Sequence, residues 1–186
     1  ASSRSSRGVL IHAGEIFTGG SIPSATFLEI KHRDGSEGAK RRVLLPLEQA
    51  LALINDGEVP VARPAEARIL EEARQLVVDE AFRPACVIRY DRHAYRFVGA
   101  DGAEQLRITF DQGIRSRFDG LSPQPEDEGC TLPVLAEGSC LMEVKGATAA
   151  PYEFAAHLSA RGIFPRSFSK YSESVRQYGA TPALSA

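Results

Sequence analysis

Hydrophobic and charged residues alternate in four short stretches of the chain, and this alternation predicts β-strands with two different faces. The stretches are residues 27–33, 88–92, 106–111 and 141–145. Side chains two residues apart lie on the same face of a strand. In the first stretch, Leu28 and Ile30 therefore lie opposite a charged set that includes Glu29 and Lys31. Each strand is expected to present an apolar face to a core and a charged face to water or to a ligand.

Other patterns complete an α+β domain around these strands. A return strand over 40–45 forms a hairpin with the first strand, and residues 95–98 and 114–118 extend the later ones. The stretch 119–139 is rich in proline, glycine and acidic residues, which is typical of a loop. Apolar residues at helical spacing predict helices over 47–54, 64–82, 151–161 and 172–178.

The same patterns suggest where the domain lies in the chain. Residues 1–24 have no clear pattern, and the segment before residue 8 is rich in serine and arginine. Predicted helices and strands fill residues 25–178, and residues 179–186 are predicted to form a C-terminal tail. We find no internal repeat and no linker that would divide residues 25–178, so one domain is predicted.

Charge and hydropathy exclude several classes of protein. The 186 residues have a formal net charge of -2, so the chain has no global basic field, and sequence-specific nucleic-acid binding is not expected. No apolar run approaches the roughly 20 residues that span a bilayer, so no membrane segment is expected. Any anion site must arise from a local concentration of arginine and lysine.

The cysteines and histidines add little chemistry of their own. Three cysteines, an odd number, argue against a disulfide framework. A bridge between Cys130 and Cys140 and free thiols in a reducing cytoplasm both remain open, and the second is favoured, which predicts a cytoplasmic protein. The sequence has no CxxC or HExxH motif to support a zinc site.

Basic residues recur on the strands and in one later loop, where they are candidates for binding phosphate. The planar fork of arginine matches phosphate oxygens and lysine supplies a compact charge, so a chain of phosphates requires several of them along its path. The alternative is that they are ordinary solvent-facing charges on half-exposed strands. The candidates are Lys31, Arg33, Lys40, Arg42, Arg92, Arg107, Lys145 and Lys170.

Three acidic residues share the predicted charged faces with these cations. Phosphoryl transfer usually requires Mg²⁺ or Mn²⁺ held by carboxylates. Glu143 is the first candidate for a metal ligand, with Glu29 and Asp111 as the others. Glu143 has an alternative role as an ion-pair partner of a neighbouring lysine or arginine.

Five segments taken together resemble the VTC (vacuolar transporter chaperone) domain family in order and spacing. That family belongs to the CYTH-like, triphosphate-tunnel superfamily. The resemblance implies an antiparallel β-barrel or tunnel with helices packed outside. It also implies a metal-dependent polyphosphate polymerase that transfers the γ-phosphate of ATP to a polyphosphate chain. The segments are Phe27-Leu28-Glu29-Ile30-Lys31, Tyr90-Asp91-Arg92-His93-Ala94-Tyr95, Leu106-Arg107-Ile108-Thr109-Phe110-Asp111, Leu141-Met142-Glu143-Val144-Lys145 and Ser167-Phe168-Ser169-Lys170-Tyr171.

The resemblance also implies roles for individual residues. Glu143 resembles the metal ligand of the Leu-x-Glu-x-Lys strand, which implies Mn²⁺ or Mg²⁺ as the cofactor. The implied partners are ATP, polyphosphate or other triphosphate anions. The residues that resemble catalytic and phosphate-binding groups of the tunnel are Lys31, Arg92, Arg107 and Lys170, and Lys40 and Arg42 also resemble its phosphate-binding cations.

One departure from the family concerns the start of the chain. Family members normally begin with a Glu-x-Lys strand, a helix and an Arg-x-Arg strand, and residues 1–24 show none of these. The N-terminal part of the tunnel is therefore expected to be absent, and exposed strand edges would invite pairing with a second copy or another chain. Three alternatives to a polymerase stay open: a non-catalytic binding module for polyphosphate or triphosphate, a triphosphate hydrolase, and a plain protein-interaction domain.

Overall fold

The structure, a computed structural model, describes residues 6–12, 25–34, 37–99, 102, 104–123, 129–146 and 150–179. In these ranges the chain is α+β, with antiparallel sheets and helices as predicted. Two compact units are present, one formed by residues 1–85 with 122–126 and the other by residues 86–121 with 127–186. The single predicted domain thus consists of two units, which are described separately below.

The first unit contains a three-stranded antiparallel sheet in the order β1-β2-β3. The strands are β1 (Ser6–His12), β2 (Ala25–Asp34) and β3 (Glu37–Pro46), and two helices follow, α1 (Leu47–Asp56) and α2 (Pro64–Val78). The sequence did not predict β1, which pairs with β2 along its whole length. Its seven residues hold only a short apolar run beside serine and arginine, so the signal for a strand is weak without the partner strand.

The core of the first unit lies between the sheet and the two helices. Alternate residues of β2 and β3 contribute one side of it, and they include Leu28 and Ile30, which are fully buried. At the end of α1, Gly57 adopts a left-handed φ of 75°, and a Cβ there would lie 2.7 Å from Cγ2 of Val78. Glycine therefore lets α1 end close against α2. Because side chains alternate, Glu29 lies on the sheet face opposite this core.

The second unit is built around one long central strand. It contains β4 (Val87–Val98), β5 (Glu104–Arg117), β6 (Leu132–Pro133) and β7 (Cys140–Gly146), followed by α3 (Tyr152–Ser159) and α4 (Lys170–Tyr178). β4 pairs with one edge of β5, and β6 and β7 pair with the other, all antiparallel. The strands predicted over 88–92 and 95–98 form the single strand β4, and the predicted loop over 119–139 includes β6.

Both sheets are open in the described ranges, where no strand pairing closes either of them into a barrel. The α+β class and the antiparallel pairing confirm the coarse prediction, whereas the predicted closed tunnel is not seen among the described residues. No helix in the described part of the chain is long and apolar enough to cross a membrane.

Helix α4 is fixed to the segment around β6 by two hydrogen bonds. The hydroxyl of Tyr178 donates to the carbonyl of Pro133 at 2.7 Å, and Nε2 of Gln177 donates to the carbonyl of Val134 at 3.1 Å. At the other end of the helix, Oγ of Ser169 accepts from the backbone N–H of Ser172 at 3.2 Å and caps the helix. These contacts hold Lys170, the first residue of α4, in a defined place.

Candidate functional site

Three strands of the second unit bring alternate residues into register on one face of their sheet, which we call the polar face. Directly opposed residues of antiparallel strands lie side by side on the same face. The pairings give three rows across β4, β5 and β7: Arg96-Arg107-Lys145, Ala94-Thr109-Glu143 and Arg92-Asp111-Leu141. The opposite face of β5 carries apolar residues, where Phe110 packs edge-on against Tyr95 with ring centroids 5.9 Å apart.

The third row is organised around a buried carboxylate. Asp111 is fully buried, and its two oxygens accept from Nε and Nη2 of Arg92 at 2.6 and 2.8 Å. Nζ of Lys170 lies 2.6 Å from Oδ2 of the same carboxylate. Asp111 is therefore an ion-pair partner in this structure, and the two cations occupy its oxygens.

The ionisation of this cluster follows from its contacts. Burial acts to raise the pKa of Asp111, but the hydrogen bonds from Arg92 and Lys170 outweigh it, so the pKa lies below its usual value. The hydrogen bond to Asp111 raises the pKa of Arg92. Asp111 and Arg92 are therefore both charged at neutral pH, and two basic side chains surround one carboxylate.

Tyr90 forms an aromatic platform for the same two cations. The guanidinium carbon of Arg92 lies 5.1 Å from the centroid of the Tyr90 ring, and Nζ of Lys170 lies 4.4 Å from it. The face of an aromatic ring attracts a cation electrostatically at these distances. Tyr90 belongs to one of the five segments that resemble the VTC family, but no role was predicted for it. The spacing of two residues between Tyr90 and Arg92 could have indicated this contact, because side chains two residues apart lie on the same face of a strand.

The middle row holds the candidate metal ligand. Glu143 is exposed, with Oε1 3.0 Å from Nζ of Lys145, so it makes the ion pair that was its alternative role. Thr109, directly opposite on β5, is buried, and its Oγ1 has no hydrogen-bond partner among the described residues. Mg²⁺ is often bound by one or two carboxylates together with phosphate oxygens of the substrate, so a single accessible carboxylate fits such a site. No three His, Cys, Asp or Glu side chains of the described residues form a metal-binding group by themselves.

The first row contains three basic residues. Arg107 is exposed, and no described residue forms an ion pair or hydrogen bond with its guanidinium. Lys145 and Arg96 lie on either side of it, paired respectively with Glu143 at 3.0 Å and with Glu104 at 3.9 Å. Arg107 is therefore a cation available for an anionic ligand.

The first unit holds the remaining predicted cations around a second carboxylate. Glu29 is 5% exposed, and its two oxygens lie 3.4 Å from Nζ of Lys31 and 3.7 Å from Nζ of Lys40. Arg42, opposite Glu29 in the strand register, places its guanidinium carbon 4.8 Å from the centroid of the Phe27 ring. Arg33 lies on β2, but its side chain falls outside the described part of the structure.

The predicted site residues thus form two groups, one in each unit. Lys31, Lys40 and Arg42 belong to the first, and Arg92, Arg107, Glu143, Lys145 and Lys170 to the second. Their assignment to phosphate and metal stays a prediction.

Comparison with known protein families identifies the chain at this point. The model of the VTC domain matches residues 17–178. The chain belongs to the VTC domain family. This VTC domain includes every helix and strand from β2 to α4, and β1 precedes the matched residues. No significant similarity to a curated protein or to a solved structure was found.

Proposed function

We propose that this VTC domain binds polyphosphate along the polar face of its second unit and extends it with the γ-phosphate of ATP in a metal-dependent reaction. One observation carries the proposal. The guanidinium of Arg107 is exposed and pairs with no described residue, and it lies on the same face as Arg92 and Lys170, which Asp111 holds in place. Membership in the VTC family supports polyphosphate as the anion.

The chemistry assigned to these residues is positioning and charge neutralisation. Phosphoryl transfer passes through a transition state whose charge is spread over phosphate oxygens, so fixed cations supply most of what the protein contributes. The bidentate contact to Asp111 orients Arg92 before any ligand arrives. A divalent ion held by Glu143 and by phosphate oxygens would neutralise further charge on the same oxygens.

The triphosphate-tunnel fold and the cations of the first unit belong to the same proposal. Lys31, Lys40 and Arg42 are assigned to phosphate, and Glu29 is assigned the role that Asp111 has in the second unit, because it too is a buried carboxylate between two cations. ATP as the donor and Mn²⁺ or Mg²⁺ as the cofactor are proposed on the family resemblance, and a cytoplasmic location is proposed on the odd number of cysteines.

A polyphosphate-binding module without turnover is the second candidate. The ion pair of Glu143 with Lys145 favours it, since this contact occupies one oxygen of the carboxylate that a catalytic metal would require. In this case the polar face would hold the anion by charge alone.

A turnover assay and a binding measurement together separate these functions. The protein is incubated with ATP and Mn²⁺, and we expect polyphosphate to accumulate. Release of phosphate without polymer would instead identify a hydrolase, and binding of tripolyphosphate without any product would identify the binding module. An absence of any salt-sensitive anion binding would overturn both candidates.

The role of Arg107 can be measured without turnover. We expect Arg107→Gln to weaken tripolyphosphate binding by about 5- to 30-fold, because a charge-assisted contact of roughly 1–2 kcal/mol is lost. The free energy of unfolding should stay within about 0.5 kcal/mol, since the side chain is exposed and no residue of the described ranges pairs with it. Calorimetry and urea denaturation measure the two effects.

The matched control is Arg68→Gln, which removes the same charge from an exposed position on α2. If both variants weakened binding equally, the anion would be responding to overall charge, and Arg107 would have no specific role.

A further inference from the structure

Three cations lie directly beside one another across the strands of the second unit. Arg96 on β4 is opposite Arg107 on β5, and Arg107 is opposite Lys145 on β7. Directly opposed side chains of antiparallel strands have Cβ atoms about 4.5–5.5 Å apart, and like charges at that spacing repel. We call this row the cationic row.

Neighbouring carboxylates compensate this repulsion only in part. Glu104 lies 3.9 Å from Arg96, and the two side chains are 44% and 72% exposed, so water screens the pair strongly. Glu143 pairs with Lys145, and no described residue pairs with Arg107. The three positive charges therefore have only two neighbouring carboxylates. One of these, Glu104, lies so far from Arg96 that the pair contributes little stabilisation. A sequence that accepts local repulsion usually has a functional reason for it.

The cationic row lies on the same face as the cluster of Arg92 and Lys170 but at a different level, that is, at a different position along the strands. Arg107 and Asp111 are four residues apart on β5, which corresponds to about 13 Å along a strand. The buried Oγ1 of Thr109, for which the described part of the chain offers no hydrogen-bond partner, lies between the two levels. A single phosphate is too small to contact both levels, whereas a chain of phosphates can follow the face from one to the other.

We infer that Arg96, together with Arg107 and Lys145, forms a second anion subsite that holds a distant part of a phosphate chain. The inference rests on the proposed function and adds a residue that no sequence motif had indicated. In this subsite the anion offsets the repulsion within the cationic row. The subsite also makes chain length a determinant of affinity, because only a long anion reaches it while bound at Arg92 and Lys170.

The test uses Arg96→Gln in the full chain with two probes, long-chain polyphosphate and orthophosphate. We expect the affinity for long-chain polyphosphate to fall about fivefold or more. The advantage of long-chain polyphosphate over orthophosphate should shrink by the same factor. The urea midpoint without ligand, at low salt, should stay the same or rise, because one repelling charge has been removed. A residue with a merely structural role would lower both the midpoint and the affinity.

The control is Arg161→Gln, which removes the same charge from an exposed position beyond the end of α3. If Arg96→Gln bound long-chain polyphosphate as tightly as Arg161→Gln, the subsite would be overturned while the proposed function would stand. A wild-type chain that bound no polyphosphate at all would overturn the proposed function itself.

Discussion

Replacing Glu143 by glutamine is expected to lower the rate of metal-dependent polyphosphate synthesis by about 100-fold. Glutamine keeps the size of the side chain but removes the charge that a divalent ion requires. A factor of 100 corresponds to about 3 kcal/mol of lost transition-state stabilisation, which is within the range for charge neutralisation by a metal. The rate is measured with ATP over a titration of Mn²⁺, where the variant should also require a higher metal concentration.

Two further measurements separate a metal role from a structural one. The ion pair of Glu143 with Lys145 is exposed, so its loss should change the free energy of unfolding by less than about 1 kcal/mol. In the presence of a chelator, Glu143→Gln should bind tripolyphosphate at least as tightly as the wild type, because a negative charge near the anion has been removed. The control is Glu137→Gln at an exposed position, and a wild-type rate for Glu143→Gln would contradict the metal assignment.

The second large effect is expected at Asp111. We expect Asp111→Asn to lower the free energy of unfolding by about 2–4 kcal/mol, because Arg92 and Lys170 would lose the carboxylate that compensates them. The lower end allows for solvent, since the side chains of Arg92 and Lys170 are 35% and 20% exposed. Urea denaturation at neutral pH measures the change. Asp119→Asn, at an exposed position just after β5, should alter it by less than about 0.5 kcal/mol.

The effect at Asp111 has a definite pH dependence. The folded pKa of Asp111 is lowered, so its carboxylate stabilises the fold at every pH above the unfolded value of about 3.9. This stabilisation is lost as the pH falls through the lower, folded value. The difference between wild type and Asp111→Asn should therefore be constant from neutral pH to about pH 5 and shrink below about pH 4. A difference that disappeared near neutral pH would contradict the ion-pair assignment.

Local patterns in the sequence predicted most of the elements correctly. The alternation in residues 27–33 and 106–111 identified β2 and β5, and helical spacing identified α1, α2 and α4 within a few residues. These features depend on neighbours in the chain, because backbone conformation and the face of a side chain follow from residues a few positions apart.

Other features of the candidate site could not be read from local pattern. The role of Asp111 depends on Lys170, which is distant in sequence and reaches the carboxylate only because α4 is fixed beside β6. The position of Arg96 beside Arg107 depends on the register of β4 against β5, which includes two irregular steps. A shift of one residue would move Arg96 to the other face of the sheet.

The sequence by itself determined the α+β class, the two-faced strands and, through its motifs, membership in the VTC family. Only the tertiary structure decided that β1 is a strand, that Asp111 and Glu29 lie buried between cations, and that Arg96 joins Arg107 and Lys145. The physical reason is the range of the interactions involved. Periodicity and capping act within a few residues of the chain, whereas strand pairing and buried ion pairs depend on segments that become neighbours only when the chain folds.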